Sequence, residues 1–388
     1  MSKWKMVKLG EVCKKITDGS HNPPSGVKQS QYLMLSSKNV ENGRITLAEP
    51  RYLSKEEFIF ENKRTEIEAD DILLTIVGTI GRVALVPKEL KYLTLQRSVA
   101  VLKPEKKHII SKYLMYVLQS MEKGLNQEAR GVAQKGIYLS QVNKLEIPLP
   151  PLEEQKRIAD ILDKASNLID LRKQQLEKMD LLIKSKFIDM FGDPVTNPKG
   201  WEVKRIEELC ESIFGGGTPS KSHAEYYDGD IPWVTSKDMK SILISDSIDH
   251  INDKAVLNSS AKYIPKQSLL MVIRSGILKH TLPIGINTRV VTINQDMKAF
   301  IPNANINVWF MFYTFKMHER SLLNNVRAVT ADNIEFSIIK NLMIPVPPID
   351  LQNQFAEFVE QVEKQKAVMQ KSLEKMEMNH KALMQEYF

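Results

Sequence analysis

Apolar residues follow two regimes along this chain. In two long stretches they recur in alternating steps of four and three, and elsewhere they form short runs between turn residues. The first long stretch gives Ile158, Leu162, Ala165, Ile169, Arg172, Leu176, Met179, Ile183, Lys186 and Met190. The second gives Phe355, Val359, Val362, Lys366, Met369, Leu373, Met376, His380, Leu383 and Tyr387. A narrow stripe of period 3.5 predicts a left-handed coiled coil rather than a helix lying on a core. Each stretch follows an extended proline lead, IPLPPLEEQ from Ile147 and IPVPPIDLQ from Ile344. Pro148, Pro150 and Pro151 forbid helix before Leu152, because each fixes its own φ and biases the residue ahead of it away from the α region. Beyond them neither Gly nor Pro appears for about 40 residues, or about 60 Å of helix.

The two stretches are copies at one constant offset, Pro148 matching Pro345 and Gln155 matching Gln352, and the same offset aligns Trp4–Cys13 with Trp201–Cys210. The repeat is therefore a whole half-molecule, and a pseudo-two-fold arrangement makes the helices antiparallel partners with the globular units at opposite ends. The seam is expected to use Ile158, Leu162, Ile169, Leu176, Met179 and Ile183 against Phe355, Val359, Val362, Met369, Leu373, Met376 and Leu383. Arg172, Lys186, Lys366 and His380 interrupt it and are read chiefly as register-setting, with contact to a partner as the alternative.

Within the first unit, YLMLSSKNV leads through Asn42 and Gly43 into a hairpin. DDILLTIVG, RVALV and TLQRSVAVL read as strands, and a helix runs from Ser111 to about Lys123, ending at Gly124. IPWVTSKDM, SLLMVIRSGIL, VTINQDMKAFIP and VWFMFYTFK answer these in the second unit. The fold class is α+β, with two mixed, β-rich domains separated by a long antiparallel two-helix coiled coil. The boundaries are 1–151, 152–191, 192–348 and 349–388. Trp233, Trp309 and Phe312 are expected in the core.

Composition narrows the picture. The chain is 43% hydrophobic and 26% charged over 388 residues, has no apolar run long enough to span a bilayer and no signal-type start, and is expected in the cytoplasm. Cys13 and Cys210 hold equivalent places and are expected to fill the same small niche rather than bridge one another. The net charge of +7 is uneven: residues 1–151 hold 24 Lys and Arg against 16 Asp and Glu, both helices are near neutral, and residues 192–348 hold 17 against 16. An excess of this kind suits a polyanion partner.

The IPLPPLEEQ and IPVPPIDLQ leads, the long helices, the loops DGSHNPPSG and GGGTPS, and IPWVTSKDM together resemble the specificity subunit of type I restriction-modification systems over essentially the entire chain. The resemblance implies two target-recognition domains, each reading half of a split double-stranded DNA site. It implies paired helices that gauge the gap and dock two methyltransferase subunits, with restriction translocase subunits joining them. No cofactor is implied in this chain: S-adenosylmethionine belongs to the methyltransferase, and ATP and Mg to the restriction subunit.

Base edges are read by Arg, Lys, Asn, Gln, Ser or Thr on protruding loops. The DNA-binding candidates in the first unit are Ser20, His21, Asn22, Lys38, Thr79, Arg82, Arg97 and Gln134. Those in the second are Thr218, Ser220, Lys221, Lys237, Arg274, Lys279, His280 and Arg327. No catalytic residue is assigned. Asn22–Ser25 is similar to the NPP-aromatic motif of amino-methyltransferases but ends in Ser and lacks a Gly-rich cofactor turn upstream. Gly215–Gly217 is not followed by Lys-Ser/Thr. His and Cys show no metal-ligand spacing, so no metal is expected. Two competing readings are a structural adaptor whose units bind proteins, disfavoured by the basic first unit, and a piece of a fused restriction-methylation enzyme, disfavoured because the first unit opens at Trp4.

Overall fold

The computed structural model describes residues 4–129, 136–328 and 332–388, and these divide into two units, 1–173 with 371–388 and 174–370. In the first unit, Cys13–Asp18, Val99–Pro104, Ile72–Thr75 and Val83–Leu85 form an antiparallel sheet in that order. A second sheet sets Tyr32–Leu35 between Arg51–Leu53 and Leu93–Leu95. Every residue of Ile72–Thr75 is buried, as a strand without polar alternation requires. The hairpin forms at Asn42 and Gly43, both at positive φ, which a two-residue turn between twisted strands demands.

Three details depart from the sequence reading. TLQRSVAVL is two strands in different sheets, broken at Gln96–Ser98. The helix from Ser111 ends at Ser120, and Gly124 lies inside a following helix, Glu122–Glu128. Lys55–Thr65 forms an unexpected helix, capped reciprocally by Ser54 and Glu57; that Ser-x-x-Glu spacing was the available signal.

The second unit repeats the plan. Cys210–Gly215, Met297–Pro302, Leu269–Val272 and Ile284–Asn287 are antiparallel neighbours, and Leu243–Ile244 adds a parallel edge. VWFMFYTFK lies in the helix Val308–Leu323. Trp233, Trp309 and Phe312 are buried. Cys13 and Cys210 are free and open equivalent strands, and burial pushes both thiols up to about 12.

The long helices are Leu152–Phe191 and Ile349–Tyr387. Each proline lead is an edge strand, Glu146–Pro148 against Met6–Lys8 and Met343–Pro345 against Val203–Arg205, where a missing N–H is tolerated. Gln155 and Gln352, one turn beyond the leads, are fully buried. Gln155 accepts from the Ile110 N–H at 2.9 Å and donates to the carbonyls of His108 at 3.0 Å and Pro150 at 2.9 Å. Gln352 repeats this with Asn307 N–H, Asn305 O and Pro347 O.

Within each unit the helix segments run antiparallel. In the first, Arg157 lies over Tyr387, Ser166 meets His380 at 3.1 Å and Lys173 meets Glu377 at 2.8 Å. In the second, Lys366 donates to Asp180 at 2.5 Å, and Phe187 packs on Phe355. Ile158, Leu162, Ile169, Ile183, Phe355, Val359, Val362 and Leu373 are buried, whereas Leu176, Met179, Met369, Met376 and Leu383 are half-buried. Past Ile183 the stripe departs from the expected seam. Phe187 and Phe191 are buried, Met190 is half-buried, and Lys186 pairs instead with Asp189. The step there is four and four, because the helix turns this face toward its own domain core at Phe310.

Candidate nucleic-acid interface

In the first unit the glycine after the first long strand decides the geometry. A Cβ on Gly19 would stand 2.1 Å from the Leu95 carbonyl oxygen, so only glycine lets the strand turn across its neighbour. Ser20 then donates its N–H to Leu95 and accepts from Arg97 N–H at 2.8 Å, which sets the His21 and Arg97 loops side by side. Buried Asp18 accepts from His21 Nε2 at 2.8 Å and from the Arg64 guanidinium, whose Nε also reaches the Asp18 carbonyl at 3.0 Å. These groups, with Arg97 and the exposed ring of Tyr138, line a cleft of about 460 Å³. One buried acid thus orients two cationic or proton-donating groups, with a third cation and a flat ring beside them. This is suitable chemistry for a phosphate or a base edge.

The other candidates of this unit are dispersed. Asn22, Lys38 and Thr79 are exposed, and the Thr79 carbonyl accepts from Thr75 Oγ1. Arg82 is 3.9 Å from Glu41 and lines a different cleft, beside Gln119, Glu122, Lys173 and His380. Gln134 lies outside the described residues.

The second unit keeps the frame and changes the chemistry. Gly216 takes the place of Gly19, with a hypothetical Cβ 1.8 Å from the Asn294 carbonyl oxygen. Arg274 is clamped on Asp296, Nε at 2.6 Å and Nη2 at 2.5 Å from Oδ1, and Lys279 is 3.5 Å from Asp332. Thr218 has a buried hydroxyl without a hydrogen-bond partner among the described residues, Ser220 bonds Ser222 at 2.7 Å, and Lys221 is exposed. Lys237 lines a shallow recess with Asp238 and Asp246. His280 lines a cleft of about 810 Å³ with Lys316, Glu319 and Arg320. The Arg327 backbone pairs with Asn333.

Sequence reasoning therefore assembled Ser20, His21 and Arg97 and overlooked Asp18, Arg64 and Tyr138. Arg64 sits on the helix announced only by its cap, and Asp18 is a strand residue whose partners come from distant segments.

Comparison with known proteins adds the identity. The family model described as "Type I restriction modification DNA specificity domain" matches residues 1–180 and again 198–378. The chain is similar to the Type I restriction enzyme EcoR124I/EcoR124II specificity subunit of Escherichia coli, 32% identical over 261 residues, covering 64% of this chain and 62% of that protein. It is also 32% identical over 189 residues to the Type I restriction enzyme MjaIX specificity subunit of Methanocaldococcus jannaschii, covering 45% and 42%. These matched regions span less than two thirds of either relative. The fold is that of the type I restriction-modification S subunit from M. genitalium, with a TM-score of 0.63, 15% identity, and coverage of 100% and 96%. With the family domain matched twice over most of its length, the chain belongs to the type I restriction-modification DNA specificity family.

Proposed function

We propose that this chain reads a bipartite duplex-DNA target, one half per recognition domain, and performs no chemistry itself. The observation that carries the reading is one sheet frame built twice with unlike polar groups at the ends of its strands: Asp18, His21, Arg64 and Arg97 in one copy, and Arg274 with Asp296 in the other. A scaffold kept while its loop chemistry diverges is what two readers of different sequences require. The candidates named from sequence are the proposed contacts, with Arg64 and Tyr138 added to the first set. The helices are proposed to gauge the gap between half-sites and to dock two methyltransferase subunits, which restriction translocase subunits join. S-adenosylmethionine would serve the methyltransferase, and ATP and Mg the restriction subunit. The setting would be cytoplasmic; among the described residues no helix is long and apolar enough to cross a membrane.

The test is to map N6-methyladenine across a host genome with and without this gene. The expected outcome is loss of one split motif and no other. An unchanged map in a host that carries the methyltransferase would overturn the reading in favour of a protein-binding adaptor.

A further inference from the structure

The strand Met297–Pro302 lies between two others in the second unit's main sheet, and one of its residues is a lysine. Lys298 pairs across the strands with Gly215 on one side and Met271 on the other. Its ammonium stands 4.8 Å from the centre of the Phe336 ring and 2.9 Å from where a Cβ on Gly215 would be. Gly215 has no positive φ, so a side chain there would meet the lysine end alone, which would have to shift to make room.

Among the described residues, no carboxylate lies within salt-bridge distance of this cation and no acceptor hydrogen-bonds it. Asp296, two residues away, is occupied by Arg274, and Lys340, the other ammonium near Phe336, is held by Glu207 at 2.5 Å. Burial draws the Lys298 pKa below the ordinary lysine value, as expected of a charge removed from water without a counter-ion.

The first unit makes the contrast. Its corresponding cross-strand pair is Asp18 and Ala100, so the first unit carries an acid on the outer strand of the pair where the second carries a cation on the inner one. There the acid is satisfied internally by Arg64 and His21. The second unit instead keeps a cation and, among the described residues, supplies no anion within reach of it.

We infer that Lys298 is a phosphodiester seat, its counter-ion being one backbone phosphate of duplex DNA bound to the second recognition domain. This inference rests on the DNA-reading function proposed above. A phosphate fits better than a base edge because the ammonium is recessed behind Gly215 on a sheet strand, whereas base readers must protrude into a groove. A lysine meets phosphate as a point charge, without the fork geometry that arginine needs.

The test uses the full chain and its Lys298→Met and Lys298→Arg variants, binding to a short random-sequence duplex and to a duplex carrying the mapped motif. Fluorescence anisotropy is followed between about 50 and 200 mM salt. Methionine preserves length and removes a half-buried charge, so the fold is retained. The salt slope of Lys298→Met is expected to be shallower by about 0.9, with about threefold less affinity lost over that range, on both duplexes alike, and Lys298→Arg is expected to restore the slope. A slope unchanged in Lys298→Met overturns the seat while leaving DNA reading intact. A loss confined to the motif duplex also overturns it, making Lys298 a base reader. A parent chain that binds neither duplex overturns the seat and the DNA-reading function together.

Discussion

Gln155 and Gln352, both fully buried, hold each long helix to its own domain through three hydrogen bonds apiece. Leucine at either place would fill similar volume and leave one N–H and two carbonyls unpaired. Gln155→Leu is therefore expected to destabilise the first unit by about 1–3 kcal/mol, as is Gln352→Leu the second. Urea unfolding and hydrogen exchange over residues 105–111 check the former; undiminished protection there would refute it. His380 supplies a pH dependence. Its ring faces Ser166 Oγ and the Tyr116 ring, in a cleft also lined by Glu41, Arg82, Asp170, Lys173 and Glu377. Burial holds its pKa below the usual histidine value, so the folded state prefers the neutral ring and the unfolded state binds the proton more readily. The contribution is present above an unfolded pKa of about 6.5 and is lost as pH falls toward the lower folded value. Stability of the first unit is expected to decline from neutral pH toward pH 5, and less so in His380→Gln, as thermal melts across that range would record.

At the scale of elements, the leads and helices were legible because prolines, an uninterrupted run and a 3.5-residue stripe act locally. The strand runs were legible for the same reason. The helix Lys55–Thr65 escaped because Phe58, Ile59 and Phe60 sit in a row rather than at helical spacing, leaving only its cap to announce it. The cleft around Asp18 escaped because Arg64 comes from 46 residues away; no local pattern encodes such a meeting. The helix pair carries its own prediction. The unit boundaries fall at Lys173 and Gln370, so one heptad inserted at each keeps the stripe nearly in phase and leaves both domain cores untouched. The tolerated gap between half-sites is expected to change while the half-site sequences stay the same. Methylation mapping of the double insertion reads both, and altered half-sites with an unaltered gap would defeat the gauge.

Across the whole molecule the duplication is structural before it is chemical. Gly19 and Gly216, Gln155 and Gln352, and Cys13 and Cys210 occupy matched places, while the charged groups around the same turns differ. The basic excess follows the same logic, with residues 1–151 carrying most of it and residues 192–348 nearly balanced. The balanced second half still leaves Lys298 without a carboxylate partner among the described residues, which whole-chain charge would never reveal.

Leu383, Met384, Tyr387 and Phe388 pack on the core of the first unit, although almost the entire second half of the chain is synthesised in between. A ribosome finishing residue 173 therefore releases a half whose apolar floor is still missing. That half must wait, partly open, until translation delivers its last turns. A stop codon near residue 370 would wound the domain made first and spare the one made second.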